Sequence, residues 1–130
     1  MQHLTIEYSA NLDDDIDMAM VCSELHDTMQ ATGIYPLAGI RVRALRADDY
    51  AVGDRLAENA FAHLLLQIGV GRTEEVKRRA GNDIMTSAEQ LFSDQLTKPH
   101  FALSLEVREL DPELSWKTNS INQRLADKGG

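Results

Sequence analysis

Cysteine occurs once in the 130 residues, at Cys22, so no intrachain disulfide can form and a reducing compartment is the expected setting. Basic residues are in deficit. The 13 Lys+Arg stand against 21 Asp+Glu, giving a net charge of −8 and a pI near 4.8. The dominant positive surface that phosphate contacts need is missing, so neither nucleic acid nor a membrane surface is an expected partner. Long apolar runs are also missing. The longest aliphatic stretch in the strand-like segment is Leu64-Leu65-Leu66, far short of the roughly 20 residues of a membrane span. Residues 1–7 lack the basic start and apolar run of a secretion signal. The expectation is a cytoplasmic protein.

Recognisable ligand motifs are equally scarce. His3, His26, His63 and His100 are scattered, without the paired spacing of a metal site. Asp13, Asp15, Asp17 and Glu24 match positions 1, 3, 5 and 12 of a calcium loop, but Met18 stands where the sharp turn needs glycine. Those acidic residues read instead as a solvated helix N-terminus. Gly69-Val70-Gly71 lacks both the third glycine of a dinucleotide fingerprint and the Gly-Lys-Ser/Thr ending of a phosphate loop. Cys22 falls on an apolar helix face and reads as a buried structural thiol.

What is present is the composition of an ordinary globular protein, 43% hydrophobic and 26% charged. A chain of this length buries roughly two-thirds of its unfolded surface, enough for one domain over residues 1–130. Residues 3–8 alternate, with Leu4, Ile6 and Tyr8 on one face, which predicts a strand. Met18, Val21, Cys22, Leu25 and Met29 then follow helical spacing. Asn11, Asp13, Asp14 and Asp15 are expected to cap that helix, and Gly33 and Pro36 to stop it. Residues 40–46 alternate again.

The second half repeats the plan. Ala60, Ala62, Leu64, Leu66 and Ile68 mark a strand over 60–69. Thr73 caps a helix with the stripe Val76, Ala80, Ile84, Ala88 and Leu91, ended by Pro99. Phe101, Leu103, Leu105 and Val107 mark the last strand. The organisation is β-α-β over about 2–46, a connector at 47–59, β-α-β over about 60–110, and a tail at 111–130. This is an α/β (α+β) fold with tandem units building a four-stranded sheet and both helices on one face. The other sheet face still carries Phe61 and Leu65, and another subunit is its simplest cover.

Three arginines stand out. Arg41 and Arg43 lie on the strand face opposite Ile40 and Val42, and Arg72 precedes a helix N-terminus whose free N–H groups favour anions. They fit either a carboxylate-binding site or a set of surface ion pairs with the acidic excess.

Several runs of residues bear a family resemblance. They are His3 with Ile6-Glu7-Tyr8-Ser9, the run Ala31-Thr32-Gly33-Ile34-Tyr35-Pro36-Leu37-Ala38-Gly39-Ile40-Arg41, and Ile68-Gly69-Val70-Gly71-Arg72. Residues 102–110 and 114–122 join them. Together they resemble the 5-carboxymethyl-2-hydroxymuconate isomerases of the tautomerase superfamily. The resemblance implies a homotrimer of β-α-β-β-α-β subunits enclosing a barrel-like centre. It also implies proton transfer between carbons of an unsaturated keto or enol dicarboxylate, without metal or organic cofactor, as in aromatic-compound catabolism. Arg41 and Arg72 stand at the family's two functional arginine positions, holding carboxylates and the charge that develops on oxygen.

One position departs. The family's base is an N-terminal proline, and Gln2 stands there. A carboxamide has no usable basicity near neutral pH. The resemblance therefore admits two outcomes: an isomerase in which the Met1 amine substitutes as base, or a catalytically impaired paralogue that binds small carboxylates.

Overall fold

A computed structural model describes residues 1–129. β1 (Gln2–Ser9) buries alternate side chains, and Leu4 and Ile6 are wholly inaccessible. α1 (Met18–Ala31) carries Val21, Leu25 and Met29 at zero exposure, so the helical stripe forms as its spacing predicts. Its start differs from the expectation. Ala10–Asp14 form a separate 3-10 turn, and the helix begins at Met18, capped by the Asp17 carboxylate accepting from the Ala19 and Met20 N–H groups.

Two of the residues expected as caps, Asn11 and Asp13, are engaged elsewhere in the fold. Asp13 accepts from the Tyr8 hydroxyl at 2.9 Å and from Arg46 at 3.2 Å, and Asn11 donates to the Asn59 carbonyl at 2.9 Å. Partners on the sheet and the connector outcompete the local cap. Gly33, just past the helix end, adopts φ +68°, the left-handed conformation that turns the chain back.

β2 (Ile40–Ala47) pairs parallel with β1, from Gln2↔Ile40 to Ser9↔Ala47. β3 (Ala60–Ile68) pairs antiparallel with the other edge of β1 and buries every second residue. α2 (Glu74–Leu91), capped by the Thr73 hydroxyl on the Val76 N–H, passes unbroken through Gly81. A short α3 (Ser93–Leu96) follows, so α2 itself ends before Pro99. β4 (Phe101–Glu109) then pairs parallel with β3.

The strand order is β2-β1-β3-β4, a mixed sheet with parallel outer pairs and an antiparallel centre. α1 and α2 pack side by side on one face. Between them and the sheet sit Leu64, Leu66, Ile84, Ala88 and Phe92, none more than 1% exposed. Each large apolar side chain so buried contributes about 1.5–3 kcal/mol. No helix of the described residues is long and apolar enough to cross a membrane.

The opposite face keeps Phe61 and Leu65 half-buried and Leu45 exposed. The connector supplies part of the cover, since the Tyr50 ring meets Phe61 edge-on at 6.3 Å. The segment expected as a plain tail contains a 3-10 turn (Pro112–Leu114) and a helix, α4 (Ser120–Gly129). Asn119 fixes it, donating to the Ala38 carbonyl at 2.9 Å and accepting from the Asn122 N–H.

Candidate functional site

Strand directions gather the sequence's arginines at one end of the sheet. β1 and β2 run parallel, so their starts lie together, with His3 opposite Arg41. β3 runs the other way, so its end reaches the same place, with Gln67 opposite His3. The loop after β3, carrying Gly69 to Arg72, therefore meets the loop before β2, which carries Tyr35 to Gly39.

Arg72 ties the two loops together. It donates to the Gly69 carbonyl at 3.2 Å and to the Ile34 carbonyl at 3.5 Å, and its guanidinium sits 5.4 Å from the centre of the Tyr35 ring. Arg41 donates to the Gly39 carbonyl at 3.1 Å. A guanidinium has five N–H donors, so both keep free donors. Beside them opens a cleft of about 520 Å³, lined among others by Met1, His3, Gly69, Trp116 and Lys117. The two guanidiniums do not line that cleft, but both act electrostatically on the Met1 amine, and Met1 does line it.

The charges that act on Met1 and His3 are all positive. The Met1 amine is held below its usual pKa, first by partial burial and then by Lys117, Arg41 and Arg72. The His3 imidazole is also lowered, by burial and then by Arg43, Arg41 and the amine. Arg43 donates to His3 Nδ1 at 3.1 Å. Arg46, Lys77 and Arg108 each pair with a carboxylate. Among the described residues, Arg41, Arg43, Arg72 and Lys117 do not. Among those residues Arg55, Arg78, Arg79 and Arg124 make no ion pair either, so what sets this end apart is that Arg41, Arg72 and Lys117 all act on the Met1 amine. A chain of net charge −8 concentrates unpaired cations around one opening.

Gln2 is not part of that opening. Its side chain is 4% exposed and points to the helix side, where Oε1 has no hydrogen-bond partner. It presses on Gly39, since a Cβ there would lie 2.6 Å from Oε1. Gln2 occupies space beneath the strand and offers no chemistry in its place.

Sequence reasoning missed Lys117 and the use of Trp116, which is 84% exposed beside the cleft. The His3 reading as an ordinary histidine missed its place in the lining. Cys22 lies on the helix face as expected, but half-buried, and burial raises its thiol pKa. Among the described residues no group of three or more His, Cys, Asp or Glu could hold a metal ion. A second cleft, between α2 and β4, is crossed by Lys77, which bridges Glu74 and Glu109, and Arg78 also lines it.

Residues 2–125 match the family described as 5-carboxymethyl-2-hydroxymuconate isomerase. The chain belongs to that family. This isomerase-family chain is 34% identical over 122 residues to the 5-carboxymethyl-2-hydroxymuconate Delta-isomerase of Escherichia coli, covering 94% of this chain and 97% of the relative. The crystal structure of a 5-carboxymethyl-2-hydroxymuconate isomerase from Deinococcus radiodurans R1 superimposes with a TM-score of 0.89. It is 36% identical, with 95% of this chain and 93% of that one covered. A fused 4-OT described as a symmetric trimer matches at TM-score 0.63 and 17% identity, over 89% of this chain and 93% of that one, and shows the shared fold.

Proposed function

We propose that the protein is an isomerase acting on an unsaturated keto or enol polycarboxylate of the 5-carboxymethyl-2-hydroxymuconate class, with Arg41 and Arg72 as its carboxylate- and oxyanion-holding residues. The observation that carries this is the cluster of Arg41, Arg72 and Lys117, unpaired among the described residues, at one end of the sheet. The expected partner was a dicarboxylate. A muconate bearing a carboxymethyl group carries three carboxylates, which suits a site with more than two cations.

The reaction moves one proton. A base takes it from the enol oxygen, the electron pair shifts along the conjugated chain, and a proton returns at the far carbon. Negative charge passes through a dienolate oxygen, and fixed cations already in place stabilise it without reorganising. A free amine on Met1 is suited to the basic role, because its lowered pKa enlarges the unprotonated fraction near neutral pH. The alternative of a carboxylate-binding paralogue rests on Gln2 alone, and the named relatives are isomerases.

A homotrimer completes the reading. Its support is the half-buried Phe61 and Leu65 on the open sheet face, the exposed Leu114 and Trp116, and the trimeric fused 4-OT that shares the fold. Light scattering at micromolar concentration should then give about three times 14.5 kDa, and a stable monomer would contradict it. The location that accompanies this reading is the cytoplasm.

Titration calorimetry with 2-oxoadipate tests the arginines. Replacing Arg41 or Arg72 with Ala should each weaken binding by about 1.5–3 kcal/mol, the range for hydrogen bonds to charged groups. Unchanged affinity in both variants would remove them from the site.

A further inference from the structure

We propose that His3 is a substrate-contacting residue, whose Nε2–H, fixed in place by Arg43, donates a hydrogen bond to the keto or enol oxygen of the bound substrate. This rests on the isomerase reading and adds to it a neutral donor beside the cations.

The geometry begins with β1. His3 faces away from the helices, sits between Arg41 of β2 and Gln67 of β3 in the ladder, and lines the cleft with Met1 and Gly69. Arg43, two residues along β2 on the same face, reaches its Nδ1 at 3.1 Å. A guanidinium has no acceptor, so Arg43 donates and Nδ1 must offer a lone pair. The proton of the neutral ring is therefore on Nε2, since the bond made by one ring nitrogen sets the state of the other.

Every charged group that acts on the ring keeps it neutral. Arg41 and Arg43 from β2 and the Met1 amine are all positive, and Gln67 from β3 carries no charge. A second ring proton would also set an N–H against the Arg43 N–H. A neutral imidazole N–H suits a developing enolate oxygen, because it stabilises the charge without delivering a full proton to it. Arg43 is thus a positioning residue. This explains why an arginine on an exposed strand position contacts histidine while the protein has a surplus of carboxylates.

The test uses the full-length protein with ¹⁵N-labelled histidine. Nuclear magnetic resonance should show His3 Nδ1 unprotonated and Nε2 protonated, and saturating 2-oxoadipate should move the His3 Nε2 resonance. With 5-carboxymethyl-2-hydroxymuconate, His3→Leu should lower kcat about 10²-fold with KM little changed, the scale of losing one oxyanion donor. His3→Gln, whose amide N–H₂ reaches the Nε2 position, should recover much of that loss. Arg43→Met should return the His3 pKa towards about 6.5 and shift the acid limb of the kcat profile with it. An Nε2 resonance untouched by 2-oxoadipate, or His3→Leu turnover equal to the parent, overturns the proposal. A parent without turnover overturns the isomerase reading, and the resonance then decides the His3 contact by itself.

Discussion

The guanidinium of Arg72 lies 5.4 Å from the centre of the Tyr35 ring, while the Tyr35 hydroxyl beyond that ring is buried without a hydrogen-bond partner. The ring serves as a platform for the cation, and the hydroxyl adds only a desolvation cost. Tyr35→Phe should therefore raise stability by about 1 kcal/mol and leave carboxylate binding unchanged. Tyr35→Leu removes the ring face, worth about 0.5–2 kcal/mol to a cation above it, and should weaken 2-oxoadipate binding accordingly. Urea unfolding and calorimetry on the two variants check this. A destabilised Tyr35→Phe would show that the hydroxyl has a partner in solution.

That pair also marks how far the sequence could be read. The periodicities of Leu4, Ile6 and Tyr8 in β1, and of Val21, Leu25 and Met29 in α1, depend on which face is buried, and they survive intact. The start of α1 did not, because Asp13 and Asn11 serve Tyr8, Arg46 and Asn59, partners that lie far off along the chain or become available only once the sheet has formed. α4 escaped because its ten residues carry no long apolar stripe; Asn119, its anchor, was the available signal. Arg41 and Arg72 came into view through the resemblance, spacing having left them open between two roles. Lys117 and His3 join them only through strand order and the return of the tail, which no local pattern encodes.

Gln2 and Gly39 form a second coupled pair. A Cβ at residue 39 would meet Gln2 Oε1 at 2.6 Å and the Met1 Cα at 3.6 Å. Gly39→Ala should cost about 1–3 kcal/mol through overpacking, and adding Gln2→Ala should relieve most of it. A double-mutant cycle by urea unfolding measures the coupling, and strict additivity would count against the contact.

Gln2→Pro addresses catalysis at the same position. Once intact mass confirms that Met1 has been removed, a secondary amine stands about 3.5 Å closer along the strand to the family's position for its base. General-base catalysis contributes about 10²–10⁴-fold, so turnover should rise if the base is what this chain weakens. Equal turnover by both proteins would show that the Met1 amine already meets the requirement.

Stability should fall on mild acidification. Met1 and His3 have pKa values lowered in the folded state, so the unfolded chain binds more protons as pH drops. Stability is then full above about pH 8 and declines as each group's unfolded form protonates, near 8 for the amine and near 6.5 for His3. Glu74, Glu106 and Asp54 have lowered pKa values and act in the opposite sense of charge, with their contribution lost only as pH falls below the usual carboxylate range. His3→Gln should flatten the slope below pH 6.5 in urea titrations. A slope unchanged by that substitution would assign it to other groups.

The central claim is that the cation cluster at the starts of β1 and β2 works on an enol polycarboxylate. The most direct measurement is spectrophotometric turnover of 5-carboxymethyl-2-hydroxymuconate by the parent protein and by Arg72→Ala. The account predicts conversion by the parent and a kcat/KM lower by at least about tenfold in the variant, the effect of losing one charged hydrogen bond. A parent that binds 2-oxoadipate saturably but never converts the muconate would contradict it and leave a carboxylate-binding protein.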